Sequence, residues 1–112
     1  MKIEPIGSVI KLSDCLFFVA GYQPVENAGR VGLDYILLPY PLGFMHPEDY
    51  SICPVDGVGE VLSEGYMDNL GEKYLEDLEM FVEKCEEVDY QEFVQFLTRV
   101  EETLQGQQEE RE

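Results

Sequence analysis

The chain contains few residues of the kinds that perform chemistry, and their spacing matches none of the common catalytic or metal-binding patterns. Its single histidine is His46, and its three cysteines, Cys15, Cys53 and Cys85, lie far apart in the sequence. A thiol nucleophile with its base, or a zinc site, is usually announced by a pattern such as CxxC, HxH or HExxH, and none is present. We therefore expect no catalytic residue, no metal, no cofactor and no enzymatic activity.

Carboxylates are the most abundant polar groups, and they are concentrated in the second half of the chain. The 112 residues hold 24 Asp and Glu against 7 Lys and Arg, a net charge of −17. Residues 1–59 carry seven acids against three bases, whereas residues 60–112 carry seventeen against four. No acidic run has the ligand order of a calcium loop. The pattern predicts a solvated acidic surface that attracts basic protein and repels nucleic acid and anionic lipid.

Short runs of β-forming residues dominate the first 65 positions. The segment at 23–32 is rich in Pro, Gly and polar residues and is interpreted as a loop, and Ser13-Asp14 as a turn. The predicted strands are 7–12, 15–22, 33–38, 50–53 and 60–63.

Apolar spacing changes to a helical period after Gly65. Asp68 is a suitable N-cap for a first helix, and Asp89 for a second helix that ends at Gly106. The face of the first helix predicted to pack on the sheet consists of Leu70, Tyr74, Leu78 and Phe81. The apolar stripe of the second helix consists of Phe93, Val94, Leu97, Val100 and Leu104.

Together these elements predict one α+β domain over residues 1–104. Its β part would span 1–65 and its helical part 66–104, and the polar segment 105–112 would be frayed. We expect a curved antiparallel sheet of four or five strands, with a small SH3-like barrel as one possible form, followed by two amphipathic helices. The odd number of cysteines and an apolar N-terminal segment interrupted by charges predict a cytoplasmic location and no membrane association.

Four segments, in this order, resemble a family of uncharacterised small acidic proteins from Gram-positive bacteria. They are Pro5–Leu12, Phe18–Gln23, Asp34–Gly43 and Val61–Tyr66, and the resemblance covers about residues 3–85. Genes of this family lie in type VII secretion clusters beside large toxins with an LXG targeting domain. The family often has a Lys-Gly-Gly turn in its first hairpin, where this chain has Lys-Leu-Ser-Asp, so the turn geometry is not carried over.

The resemblance implies a bacterial cytoplasmic accessory protein and supplies no catalytic residues. Our leading hypothesis is a chaperone or adaptor that binds a secreted LXG toxin or a small helical secretion factor. A second hypothesis is an immunity protein that neutralises a basic toxin domain through carboxylates. A third is a small-ligand-binding or enzymatic domain that uses the 40–49 loop and would need a pocket containing His46.

Partner contacts are expected on the Tyr-Pro-Leu-Gly-Phe loop, on the stripe of the second helix and on the acids of the first. Two alternatives stay open: the loop could fold over the open end of the sheet, and the second helix could pack back on its own domain as a hairpin. A second copy of the chain could also bind through the C-terminal helices. The predicted partner-binding residues are Tyr40, Phe44, Phe93, Leu97, Val100, Leu104, Glu76, Glu79 and Glu83.

Overall fold

A computed structural model describes residues 2–111, with side chains described for residues 2–106. Five strands form one antiparallel sheet in the order β4-β3-β2-β1-β5. The strands are β1 (Val9–Leu12), β2 (Cys15–Asn27), β3 (Arg30–Pro39), β4 (Ser51–Pro54) and β5 (Glu60–Ser63). A 3-10 turn at Pro47–Asp49 precedes β4, and the helices α1 (Asn69–Glu83) and α2 (Tyr90–Arg111) follow β5.

The predicted α+β architecture is confirmed, and the sheet is open. Strands β4 and β5 form its two edges and do not pair with each other, so the sheet is not closed into an SH3-like barrel. Neither α1 nor α2, over the residues described, is long and apolar enough to cross a membrane.

The first hairpin turns where predicted. Ser13 and Asp14 connect β1 to β2 and adopt positive φ angles of 48° and 67°. A two-residue turn whose central residues both have positive φ angles matches the twist of the strands that it joins.

The second hairpin is longer than predicted, and the interpretation of residues 23–32 as a loop is wrong. Pro24 pairs with Leu33 and Val25 with Gly32, and the chain turns only at Ala28 and Gly29. Because β1 pairs with β2 only over Cys15–Phe18, the stretch around Pro24 has a single neighbouring strand. A residue without an N–H is tolerated in such a position.

Alternate residues of β3 form the centre of the core. Val31, Leu33, Tyr35 and Leu37 are buried, and they pack with Leu75 and Leu78 of α1 and with Phe93 of α2. The helices therefore cover one face of the sheet only. Burial of apolar surface on this face supplies the main favourable free energy of folding.

The first helix begins at the predicted cap, and Tyr74, Leu78 and Phe81 lie in or against the core as predicted. The Asp68 Oδ1 atom accepts a hydrogen bond from the Gly71 N–H at 2.9 Å. Leu75 and Leu78 are the buried residues of α1, whereas Leu70 is 65% exposed. Leu70 lies in the first turn and to the side of the buried stripe, so its predicted packing on the sheet is wrong.

The first half of α2 packs back on α1. The rings of Phe81 and Phe93 stack with centroids 4.9 Å apart, and the ring of Phe96 lies 5.3 Å from that of Phe81. The helix does not end at Gly106 but continues to Arg111. Gly106 is exposed, and good helix formers flank it, so its cost of about 1 kcal/mol does not end the helix. The predicted fraying of 105–112 falls largely on side chains outside the described residues.

Candidate protein-binding surfaces

The connection between β3 and β4 carries a cluster of exposed apolar side chains, which we name the 40–52 surface. The connection leaves the sheet after Pro39 and returns at Ser51, which pairs with Leu37, so its two ends lie side by side. Between 47% and 68% of each of these residues is exposed. The 40–52 surface consists of Tyr40, Leu42, Phe44, Met45, Tyr50 and Ile52.

Backbone hydrogen bonds hold the first part of this connection in place. The Tyr40 N–H donates to the Leu16 carbonyl at 3.0 Å, and the Gly43 N–H donates to the Pro39 carbonyl at 2.7 Å. Gly43 has a φ of 73°, which glycine adopts without strain. The exposed side chains of Tyr40 and Leu42 are therefore presented by an ordered backbone.

The apolar surface continues onto the face of the sheet that the helices leave uncovered. Phe18 pairs with Leu38, and Ile36 pairs with Ile52 of the 40–52 surface. These residues alternate with the buried ones along their strands, so they point away from the core. We name Val9, Leu16, Phe18, Ile36 and Leu38 the outer sheet face; each is partly exposed.

His46 lies in the same connection, outside the grooves described below. It is exposed, and the nearby Asp49 carboxylate accepts a hydrogen bond from the His46 backbone N–H at 2.9 Å. Four of the larger grooves among the described residues are lined by residues outside 40–49. The ligand-binding or enzymatic hypothesis for the 40–49 loop stays a prediction.

The three cysteines lie in different environments. Cys15 is exposed, Cys85 is half-buried, and Cys53 is buried, which raises the pKa of its thiol. No group of three or more His, Cys, Asp or Glu among the described residues is placed to hold a metal ion.

A groove of about 300 Å³ along the N-terminal half of α1 is lined with carboxylates. Lys2 pairs with Glu64 here at 3.4 Å, and Glu79 Oε1 accepts a hydrogen bond from the Ile3 N–H at 2.8 Å. We name this site the acidic groove. Its lining residues are Lys2, Ile3, Glu64, Met67, Glu72, Leu75, Glu76 and Glu79.

An adjoining hollow of about 320 Å³ is mainly apolar and contains three tyrosines. The Tyr22 hydroxyl donates to the Glu4 carbonyl at 2.7 Å, and burial is the main cause that raises the pKa of Tyr22. Burial also raises the pKa of Tyr74. We name this hollow the tyrosine pocket. It is lined by Pro5, Ile6, Tyr22, Tyr66, Met67, Gly71, Tyr74 and Leu75.

A larger groove of about 780 Å³ lies between the β2–β3 hairpin and the end of α1. An Arg30 guanidinium N–H donates to the Cys85 sulfur at 3.2 Å, and the Arg30 Nε lies 3.6 Å from Glu86 Oε1. These contacts, with the hydrogen bond from the Val31 N–H to the Cys85 carbonyl at 3.0 Å, tie the hairpin to the helical part.

The nine predicted contact residues do not form one surface. Tyr40 and Phe44 belong to the 40–52 surface, Glu76 and Glu79 line the acidic groove, and exposed Glu83 lines the large groove. Phe93 is fully buried in the core, which differs from the prediction that it contacts a partner. Leu97 and Val100 are half-buried and Leu104 is 39% exposed, so a homodimer through the end of α2 stays a prediction.

The sequence interpretation missed two parts of these surfaces. Met45 directly follows the predicted Tyr-Pro-Leu-Gly-Phe loop and carried the same signal, an apolar residue close to Pro and Gly. The tyrosine pocket gave no such signal, because Tyr22, Tyr66 and Tyr74 come from three distant segments.

Comparison with known protein families assigns most of this architecture to one family. Residues 4–74, more than half of the chain, match the domain of unknown function DUF4176. The chain belongs to the DUF4176 family. The expected membership of an uncharacterised family is thus confirmed. The DUF4176 segment contains all five strands and the whole 40–52 surface, whereas α2 follows it. No curated protein and no solved structure matches the chain.

Proposed function

We propose that this DUF4176 protein is a non-enzymatic accessory protein that binds another protein through its 40–52 surface. The observation that carries the proposal is a group of six large apolar side chains, five on the connection between β3 and β4 and one, Ile52, on β4; each is about half exposed or more. Fully burying one such side chain is favourable by about 1.5–3 kcal/mol. Large exposed apolar surfaces are typical of protein-binding sites.

Tyr40 and Phe44 are the anchors that we expect to contribute most to partner affinity. Aromatic residues dominate the energetics of protein interfaces because they bury a large area with few rotatable bonds. The 40–52 surface adjoins the outer sheet face, because Ile52 pairs with Ile36. A partner that covers the 40–52 surface can therefore extend over Ile36 and Leu38.

Charge supports a basic partner. The net charge of −17 produces a field that raises the rate of encounter with a positively charged protein. In this proposal the acidic helices attract the partner, and the 40–52 surface holds it.

The resemblance to proteins encoded in type VII secretion clusters supports a more specific partner. We propose that the partner is a secreted LXG toxin, and that this protein acts in the cytoplasm as its chaperone or adaptor before export. The large apolar surface fits this role, because a chaperone must cover apolar surface on a protein that is not yet in its final location.

Co-expression with the LXG toxin encoded beside the gene tests this proposal. The tagged wild-type protein should retain the toxin, and the double variant Tyr40→Ser/Phe44→Ser should retain at least about tenfold less. Leu70→Ser is the matched control, because Leu70 is equally exposed but lies on α1. Equal retention by both variants, with circular dichroism showing both folded, would contradict the proposal.

The acidic groove favours the immunity hypothesis as a second candidate. Four glutamates line one groove, and a basic catalytic domain of a toxin would complement them. A chaperone or adaptor should bind the N-terminal targeting region of the toxin, whereas an immunity protein should bind its C-terminal catalytic domain. Retention of the two separated toxin regions therefore distinguishes the two roles.

A further inference from the structure

We infer that the tyrosine pocket and the acidic groove form a second binding site, for a segment of a protein partner that places an apolar side chain beside Lys or Arg. This site is separate from the 40–52 surface. The two hollows share a wall, because Met67 and Leu75 line both. One continuous site thus has an apolar end and a negatively charged end.

The apolar end is suited to an aliphatic side chain. The rings of Tyr22 and Tyr74 lie with centroids 6.4 Å apart and planes tilted by 55°, and they form an aromatic wall. Tyr66 is 82% exposed at the rim, so its ring is available to cover a side chain that enters. Aromatic walls of this kind bind aliphatic groups and the stems of Lys and Arg.

The charged end has carboxylates without cationic partners. Lys2 pairs with Glu64, and Glu79 accepts the Ile3 N–H, but Glu72 and Glu76 make no ion pair among the described residues. Glu72 and Glu76 are four residues apart on α1, so their like charges repel each other. A cation between them would remove that repulsion.

Glu4 adds further negative charge close to the apolar end. Its Oε2 atom is buried and has no hydrogen-bond partner among the described residues. Its charge also acts on Tyr22, which lines the tyrosine pocket. The chain's own Lys2 lines the acidic groove and pairs with Glu64.

These charges identify the occupant as a basic segment of another protein. Anionic ligands such as phosphates are repelled, and a second copy of this chain carries the same net charge of −17. A segment with a leucine-sized side chain within a few residues of Lys or Arg satisfies both ends at once.

The test uses fluorescein-labelled synthetic peptides and fluorescence anisotropy on the full chain. The probe peptide carries one leucine between lysines; one comparison peptide has serine in place of leucine, and another has glutamates in place of the lysines. We expect the probe to bind, the serine peptide to bind about tenfold more weakly, and the glutamate peptide not to bind.

Variants of the chain locate the peptide. Tyr66→Ala should weaken probe binding by about tenfold, and Tyr66→Phe, which keeps the ring, should bind as wild type does. Glu72→Gln/Glu76→Gln should weaken binding about fivefold or more, whereas the equally charged control Glu101→Gln/Glu102→Gln on α2 should change it less than about twofold.

Several outcomes would overturn the inference. The first is that the probe does not bind, and the second is that the leucine and serine peptides bind equally well. The third is that the two double glutamine variants weaken probe binding equally, which would indicate unspecific charge attraction. The variant Tyr40→Ser/Phe44→Ser should bind the probe as wild type does. Toxin retention by this variant therefore tests the proposed function alone. Binding of the probe peptide to the wild-type chain tests the second site alone.

Discussion

Ser8 and Gly65 join the N-terminal segment to the end of β5. Ser8 is fully buried, and its Oγ accepts a hydrogen bond from the Gly65 N–H at 3.0 Å. A Cβ atom at Gly65 would collide with the carbonyl oxygen of Ile6. Glycine is required here by the close approach of two backbones, which its lack of a side chain permits.

Gly65→Ala should therefore lower the free energy of unfolding by about 1–3 kcal/mol, because the backbone of residues 6–8 would have to shift. Urea unfolding followed by circular dichroism measures the change. Gly106→Ala is the control, since a Cβ there meets nothing within 4 Å, and it should raise the free energy by up to about 1 kcal/mol. An unchanged unfolding curve for Gly65→Ala would contradict this account of the contact.

Tyr22 makes stability sensitive to alkaline pH. Burial raises its pKa above the ordinary value of 10.0, so the folded chain keeps the phenol proton at a pH where the unfolded chain has lost it. Because the unfolded state then binds fewer protons, the free energy of unfolding should be constant with respect to this group below about pH 10 and fall above it. Burial acts in the same direction on Tyr35 and Tyr74.

Tyr22→Phe should reduce the steepness of this alkaline loss. At pH 7 it should also lower the free energy of unfolding by about 0.5–1.5 kcal/mol, because the hydrogen bond to the Glu4 carbonyl is lost. Urea unfolding at several pH values between 7 and 11 tests both effects. A variant whose stability falls as steeply as that of wild type above pH 10 would contradict the role given to Tyr22.

At the level of elements, local sequence predicted most strands and both helices but not the length of the central hairpin. The turn at Ser13-Asp14, strand β5 and the cap at Asp68 were predicted because each depends on neighbouring residues alone. Pro24 and Gly32 disfavour strands locally, but pairing across β2 and β3 overrides them.

The same limit applies to the candidate sites. An apolar stripe on a helix looks alike in the sequence whether it packs on its own sheet or on a partner, so Phe93 was assigned to a partner although it is in the core. The prolines and glycines beside Tyr40 and Phe44 left two alternatives open, an exposed binding loop and a loop folded over the open end of the sheet. The acidic groove combines residue 2 with residues 64–79, a proximity that only the fold creates.

The turn at Ala28 offers a test of the long hairpin formed by β2 and β3. Ala28 has a φ of 52°, a left-handed conformation that disfavours most side chains but that Asn adopts more readily. Ala28→Asn should therefore raise the free energy of unfolding by about 0.5 kcal/mol, and Ala28→Val should lower it, because branching at Cβ worsens the strain. Thermal unfolding of the two variants and wild type checks this order of stabilities. An Ala28→Val variant as stable as Ala28→Asn would contradict the turn geometry.

Across the whole molecule, charge and apolar surface are separated. The carboxylates are concentrated in the helical part, whereas the 40–52 surface and the outer sheet face are apolar. The radius of gyration is 14.8 Å, against about 13 Å for a compact chain of this length. Residues 101–106 of α2 are all exposed. The molecule thus presents an apolar surface at one place and most of its negative charge at another.

Hydrogen–deuterium exchange of the chain, alone and in complex with the co-expressed LXG toxin, tests the central claim most directly. Amide exchange in residues 40–54 should slow on complex formation, because the partner would cover the 40–52 surface and the β4 edge. The end of α2 over residues 101–111 should exchange at the same rate in both samples. A stable complex in which residues 40–54 exchange as fast as in the free chain would contradict the claim.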